Sequence, residues 1–149
     1  MPRRQGALDA KHLIRTYLLL PKVPNGTPEH DAIFWAFECM DAIATEAPST
    51  ALWIITAALK LAQDDQDIDF LAAGPLEDLL DVNGPEIIEE IEKVAAENER
   101  FRYLLSGVWG ENSIDPAVWR RLQIILEQGP WLSDDPRTPQ GSNKANERE

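Results

Sequence analysis

Residues able to do chemistry are few and scattered in this chain. Carboxylates occupy alternate positions along Asp65, Asp67 and Asp69, preceded by Asp64, as they do in a calcium loop. The pattern then fails at both positions that define such a loop. Counted from Asp65, the sixth residue is Phe70 where the turn needs glycine, and the twelfth is Leu76 where a bidentate glutamate belongs. The run is better explained as an acidic helix start. One cysteine, Cys39, and two histidines, His12 and His30, offer no pair at zinc-ligand spacing. The sequence therefore implies no metal and no cofactor. Cys39 falls beside the apolar stripe of a helix and reads as a small core hydrophobe, and neither histidine has an acid partner at fixed spacing. Gly74, Gly84 and Gly107 stand alone, so no glycine-rich loop is available to cradle a phosphate.

Glu77 and Asp78 are the carboxylate pair of most interest. Both fall in the first turn after Pro75, where free amides and the helix dipole favour negative charge, so helix capping is the simplest role. A rival role is an ion pair from either to Arg100 or Arg102, locking two helices together. Catalysis by the pair ranks third, because neighbouring residues on a helix point about 100° apart. Five tryptophans are many for 149 residues. Trp53, in an apolar segment, is expected in the core. Trp109, flanked by Gly107 and Gly110, can plug the core or stand in a binding groove, and Trp131 is expected to be exposed.

The elements that hold these residues follow from periodicity. Alanine and leucine dominate the body, with little valine or threonine, and no segment alternates with period two. Ala10, Leu13, Ile14, Tyr17 and Leu18 share one face of a first helix, with Lys11 and Arg15 on its other side. Thr27, Pro28 and Glu29 supply an N-cap, a first-turn proline and a dipole-favoured acid for a second, with Ile33, Phe37, Met40 and Ala44 inward, widened by Phe34 and Trp35. From Ser49 to about Gln63 a third helix is apolar nearly all round, hence buried and central. Gly74-Pro75 and Gly84-Pro85 read as two helix boundaries, each a left-handed cap followed by a helix-starting proline. Pro85 to about Glu97 then places Ile87, Ile88, Ile91, Val94 and Ala95 inward and Glu86, Glu89, Glu90, Lys93 and Glu97 outward. A short helix near Arg100 and a last one from Asp115-Pro116 complete an all-α fold. Seven or eight short helices are expected, in a single globular or irregular α-solenoid-like bundle. Residues 1–132 form the domain. Residues 133–149 lack core-forming side chains and are expected to be a disordered, dispensable tail.

The block Ala72-Ala73-Gly74-Pro75-Leu76-Glu77-Asp78-Leu79-Leu80, with His30 to Glu38 before it and Phe101-Arg102, Gly107-Val108-Trp109 and Val118-Trp119 after it, resembles a bacterial family of small helical proteins. That family is catalogued only as a domain of unknown function. The resemblance spans about residues 28–126 and implies a helical, single-domain protein, with no activity attached.

Charge carries the functional expectation. The formal net charge is -12, and residues 63–99 hold thirteen acids and one base, Lys93. Residues 1–27, by contrast, hold five bases and one acid. Nucleic-acid binding needs clustered lysine and arginine and is disfavoured. The apolar stretch from Ala51 to Ala62 is too short for a bilayer, nothing near the N-terminus has the make-up of a signal peptide, and a lone cysteine suits a reducing cytoplasm. The expectation is a non-enzymatic acidic protein, inhibitor- or immunity-like, that binds a basic protein partner through Glu86, Glu89, Glu90 and Glu97, with Trp109 and Trp131 as aromatic contacts. The alternative is an enzyme whose site is assembled from scattered polar residues such as Glu38, Glu77 and Arg102.

Overall fold

In the computed structural model, residues 9–127, 129 and 130 are described, and among them there are helices and turns but no strand. The polar tail 133–149 and Trp131 lie outside the described residues. Helix α1 (Ala10–Leu19) is capped by Asp9, whose carboxylate accepts the His12 N–H at 3.1 Å. Thr27 caps α2 (Pro28–Ile33) through the His30 N–H at 3.2 Å, and α3 (Trp35–Glu46) follows after the single helical residue Phe34. Helix α4 (Pro48–Leu61) begins one residue after α3 ends, at a proline whose missing N–H costs nothing in a first turn. Asp64, Asn98 and Asp115 cap α5 (Asp65–Leu71), α7 (Glu99–Leu105) and α8 (Pro116–Leu126) in the same way. The acidic run at 64–69 is thus a helix start.

The longest element departs from expectation. Gly74-Pro75 does not end a helix; before Gly84-Pro85 the helix does break, at Asn83, but neither glycine is a left-handed cap, since neither has positive φ. Helix α5 instead passes through a π-helical turn (Ala72–Leu76) into α6 (Glu77–Glu97), which kinks at Asn83 (φ -124°, ψ 22°). A proline inside a helix lacks an N–H and collides with the carbonyl four residues back. The wide turn at Pro75 and the break before Pro85 each open the space that the ring requires. Residues 65–97 therefore run as one bent rod, and α2 and α3 run as another through Phe34. Six helical rods result among the described residues, where the sequence pattern suggested seven or eight helices.

Packing closes around α4, which touches α1, α3, α5, α6 and α7, so both halves of the chain share one core. Ile54, Ile55, Ala58 and Leu59 of α4 meet Leu13 and Ile14 of α1, and Leu79, Leu80, Ile87 and Ile91 of α6, in a single buried cluster. The expected all-round burial of α4 is not seen. Trp53 is 61% exposed and Lys60 is exposed, because none of the described helices covers that side. In α3 the inner stripe is Ala36, Met40 and Ala44, while Phe34, Trp35 and Phe37 are each close to 40% exposed. The core-facing stripe runs through Ile33, Ala36, Met40, Ile43 and Ala44, so of the expected inner residues Phe37 alone lies off it.

Two glycines are set by close approach. A Cβ on Gly84 would lie 3.3 Å from both methyls of Val118, where α6 and α8 cross, and one on Gly74 would lie 2.5 Å from the Tyr17 hydroxyl. Tyr17 is held there by Phe70, whose ring lies 4.8 Å away. Gly74→Ala is expected to lower stability in urea unfolding by about 1 kcal/mol, the overpacking cost less the helical gain of alanine. Adding Tyr17→Phe should restore most of that loss, and a double-mutant cycle without coupling would contradict the contact.

Candidate functional site

The second half of α6 presents the acidic face. Ile87, Ile88, Ile91 and Ala95 are buried against the core, which turns Glu86, Glu89, Glu90, Lys93 and Glu97 to solvent. Glu90 accepts the Ser49 hydroxyl at 3.0 Å, joining the face to the start of α4. Glu92, half-buried at the edge, takes a two-pronged contact from Arg121 of α8 at 2.5 and 2.8 Å, and Arg121 also feels the charge of Glu89. The ion pairs formed among the described residues are this one and Lys22–Asp67. Glu86, Glu89, Glu90 and Glu97 therefore remain an exposed group of carboxylates without a paired cation among the described residues.

Beside the π-helical turn the structure gathers a group that the linear pattern did not suggest. Asp78 at the start of α6 lies near enough to Asp41 of α3 and to the buried Tyr17 of α1 for their charges to be felt. Burial, then the charges of Asp41, Glu77 and Asp81, push the Asp78 carboxyl above the usual range. Burial, reinforced by Asp78 and Asp41, pushes the Tyr17 hydroxyl far above its ordinary value, so it stays neutral. Asp41 and Asp78 are 37 positions apart in sequence, and only the packing of α3 on α6 brings them together.

Other candidate residues are engaged elsewhere. Glu77 accepts the backbone N–H of Trp109 at 3.0 Å, and the Trp109 ring is 54% exposed. Arg102 donates to the carbonyls of Ala95 at 2.6 Å and Gly129 at 3.1 Å, and Arg100 to that of Ala62 at 2.9 Å. Neither arginine uses its hydrogen bonds on Glu77 or Asp78, so the ion-paired lock is replaced by guanidinium groups that tie chain ends. Glu38 lies exposed on α3, and Glu38, Glu77 and Arg102 are not joined by any of these hydrogen bonds. Burial pushes the Cys39 thiol up, away from the thiolate form. His12 stacks on Trp35 at 5.3 Å and His30 tilts against Phe34 at 5.9 Å. Among the described residues no group of three or more His, Cys, Asp or Glu side chains could hold a metal ion, and no helix is long and apolar enough to cross a membrane.

A model of a family of unknown function, DUF6869, matches residues 24–129. The chain belongs to that family. No curated protein and no solved structure matches it. The DUF6869 match takes in the acidic face, Trp109 and both carboxyls of the Asp41–Asp78 pair, and it begins after the basic helix α1.

Asp78 and Asp67 set opposite pH dependences. The raised carboxyl of Asp78 favours folding most below its unfolded value, and that contribution is lost as pH rises through the folded value. Burial works against the Asp67 carboxylate, yet the Gln63 N–H at 2.9 Å and the Lys22 ammonium more than offset it and hold it low. Its contribution is present above the unfolded value and is lost as pH falls through the folded one. Asp78→Asn should thus raise the melting temperature near neutral pH, with the gain shrinking in acid. Asp67→Asn should lower stability at neutral pH by about 1–2 kcal/mol, since it removes charge-assisted hydrogen bonds at a partly solvated pair. Melting curves across pH check both signs.

Proposed function

We propose that the chain is a non-enzymatic interaction protein, inhibitor- or immunity-like, that binds a basic protein partner through the exposed carboxylates of α6. The observation that carries this is the group Glu86, Glu89, Glu90 and Glu97, standing on a helix whose opposite face is fixed in the core. A rigid base keeps the four charges in register, which favours steering and specificity over raw affinity. The thirteen acids among residues 63–99 extend the same negative field. Trp109, exposed and joined through its backbone to Glu77 at the start of α6, supplies an aromatic contact near one end of that rod. Cys39, unable to pair within the chain, supports a cytoplasmic setting.

In vivo cross-linking identifies the partner, and stopped-flow mixing then measures its association. Because exposed charges act over about 8 Å at physiological ionic strength, the rate should fall steeply as salt rises. Replacing Glu86, Glu89, Glu90 and Glu97 together by Gln should slow association about tenfold and leave the melting temperature equal or slightly higher. A partner whose binding ignores both salt and these substitutions would make the acidic face a solvated surface only.

A further inference from the structure

The groove between α1 and α4 carries the opposite charge from α6. We propose that it is a second docking surface, which takes an acidic segment of a partner protein by burying one large apolar side chain against Trp53 while flanking carboxylates meet Lys11 and Lys60. Its floor is Ile14, Ala57 and Leu61, with Ala10 at one end, and its volume is about 260 Å³. A cavity of about 150 Å³ takes a benzene ring, so the groove has room for one aromatic or long aliphatic side chain. Trp53 stands 61% exposed at its wall, although its neighbours Leu52 and Ile54 are buried. The exposed indole face and the apolar floor together form a surface that an apolar side chain of another molecule can complete.

Charge selects the occupant. Lys11 and Lys60 rim this groove, and Leu61 also lines an adjoining one with Leu18, Leu19, Arg15 and Lys22. The acid lining that second groove is Asp67, which is committed to Lys22. Lys11, Arg15 and Lys60 form no ion pair with any described residue. In a chain of net charge -12, these two adjoining grooves are lined by four cations and one carboxylate, Asp67. A basic partner would be repelled there, and a wholly apolar one would leave Lys11 and Lys60 to be desolvated unpaired. An acidic segment with one apolar anchor satisfies both. A flat anionic membrane fits less well, because the groove is concave at the scale of a single side chain and the chain as a whole repels anionic headgroups. This surface does not depend on the role given to α6, since it lies on different helices and selects the opposite charge.

The test is an ¹H–¹⁵N NMR titration of the full chain with the peptide Ac-Glu-Glu-Leu-Phe-Glu-Glu-NH₂ and its all-lysine counterpart Ac-Lys-Lys-Leu-Phe-Lys-Lys-NH₂. The glutamate peptide should shift the Trp53 indole N–H, assigned through Trp53→Phe, together with the amides of Lys11, Ala57 and Lys60. The lysine peptide should not. Lys11→Glu with Lys60→Glu should weaken binding by about tenfold or more, as should raised salt, and Trp53→Ala should abolish it. All three positions are exposed, so the fold is retained, and the titration of the unaltered chain decides even if a variant fails. No shift with the glutamate peptide, or an equal response to both peptides, overturns the proposal. Phosphatidylserine vesicles that perturb Trp53 when the peptide does not would assign the surface to a membrane and overturn it as well.

Discussion

Two prolines inside one helical rod set the shape on which the rest depends. A ring at position 75 or 85 cannot coexist with an unbroken ladder of α-helical hydrogen bonds, because it removes a donor and crowds the carbonyl one turn earlier. The chain answers in two ways. At Pro75 it widens to a π-helical turn, and before Pro85 it bends at Asn83. Asn83 is free to turn inward because of that bend, and its side-chain amide donates to the carbonyls of Ala44 at 2.9 Å and Thr45 at 3.1 Å, closing the end of α3. The first accommodation brings Asp78 up to Asp41, and the second sets the direction in which the acidic half of α6 leaves the core. π-helical turns of this kind often occur beside functional groups, and here the turn lies two residues before Asp78.

What the amino-acid order made legible follows from how local each signal is. The N-cap at Thr27 and the helix start at Asp115-Pro116 depend on residues within one turn, and the first helix face, Leu13, Ile14, Tyr17 and Leu18, repeats with an unbroken period, whereas the caps at Asp64 and Asn98 were not read from the order alone. The outward orientation of Glu86, Glu89, Glu90 and Glu97 came from the same regularity. Three features did not show. Gly-Pro has the same local meaning whether a helix ends there or widens, and the difference lies in what Tyr17 and Val118 require of the two glycines. Trp53 sits in a segment with almost no polar face, and its exposure depends on a neighbour that does not arrive. The proximity of Asp41 and Asp78 requires α3 and α6 to be packed before it exists at all. An odd spacing of acids beside a Gly-Pro step was the one available hint.

The surface is electrically divided even though the total is strongly negative. Acids crowd the rod of residues 65–97, where mutual repulsion opposes the compact state and few cations are set against them. Arg121 on Glu92 and Lys22 on Asp67 each relieve that repulsion at a point where another element meets the rod or the end of α4. Lys11, Arg15 and Lys60 are not used in this way. Among the described residues Lys11, Arg15 and Lys60 take part in no ion pair while carboxylates accumulate on other helices, so the charges are segregated rather than neutralised.

The hydrogen bond from the Trp109 backbone to Glu77 has a consequence for how the protein can be observed. Glu77 is the first residue beyond the π-helical turn, and three residues separate Trp109 from the end of α7, so a side chain on one element holds the main chain of another. A change in the wide turn, whether from a proton on Asp78 or from a partner on α6, must shift that carboxylate and with it the position of an indole ring already facing water. The emission of Trp109 is in this way tied mechanically to the geometry of the turn, and a protein with no coloured cofactor described in it carries a built-in optical gauge of its most unusual backbone segment.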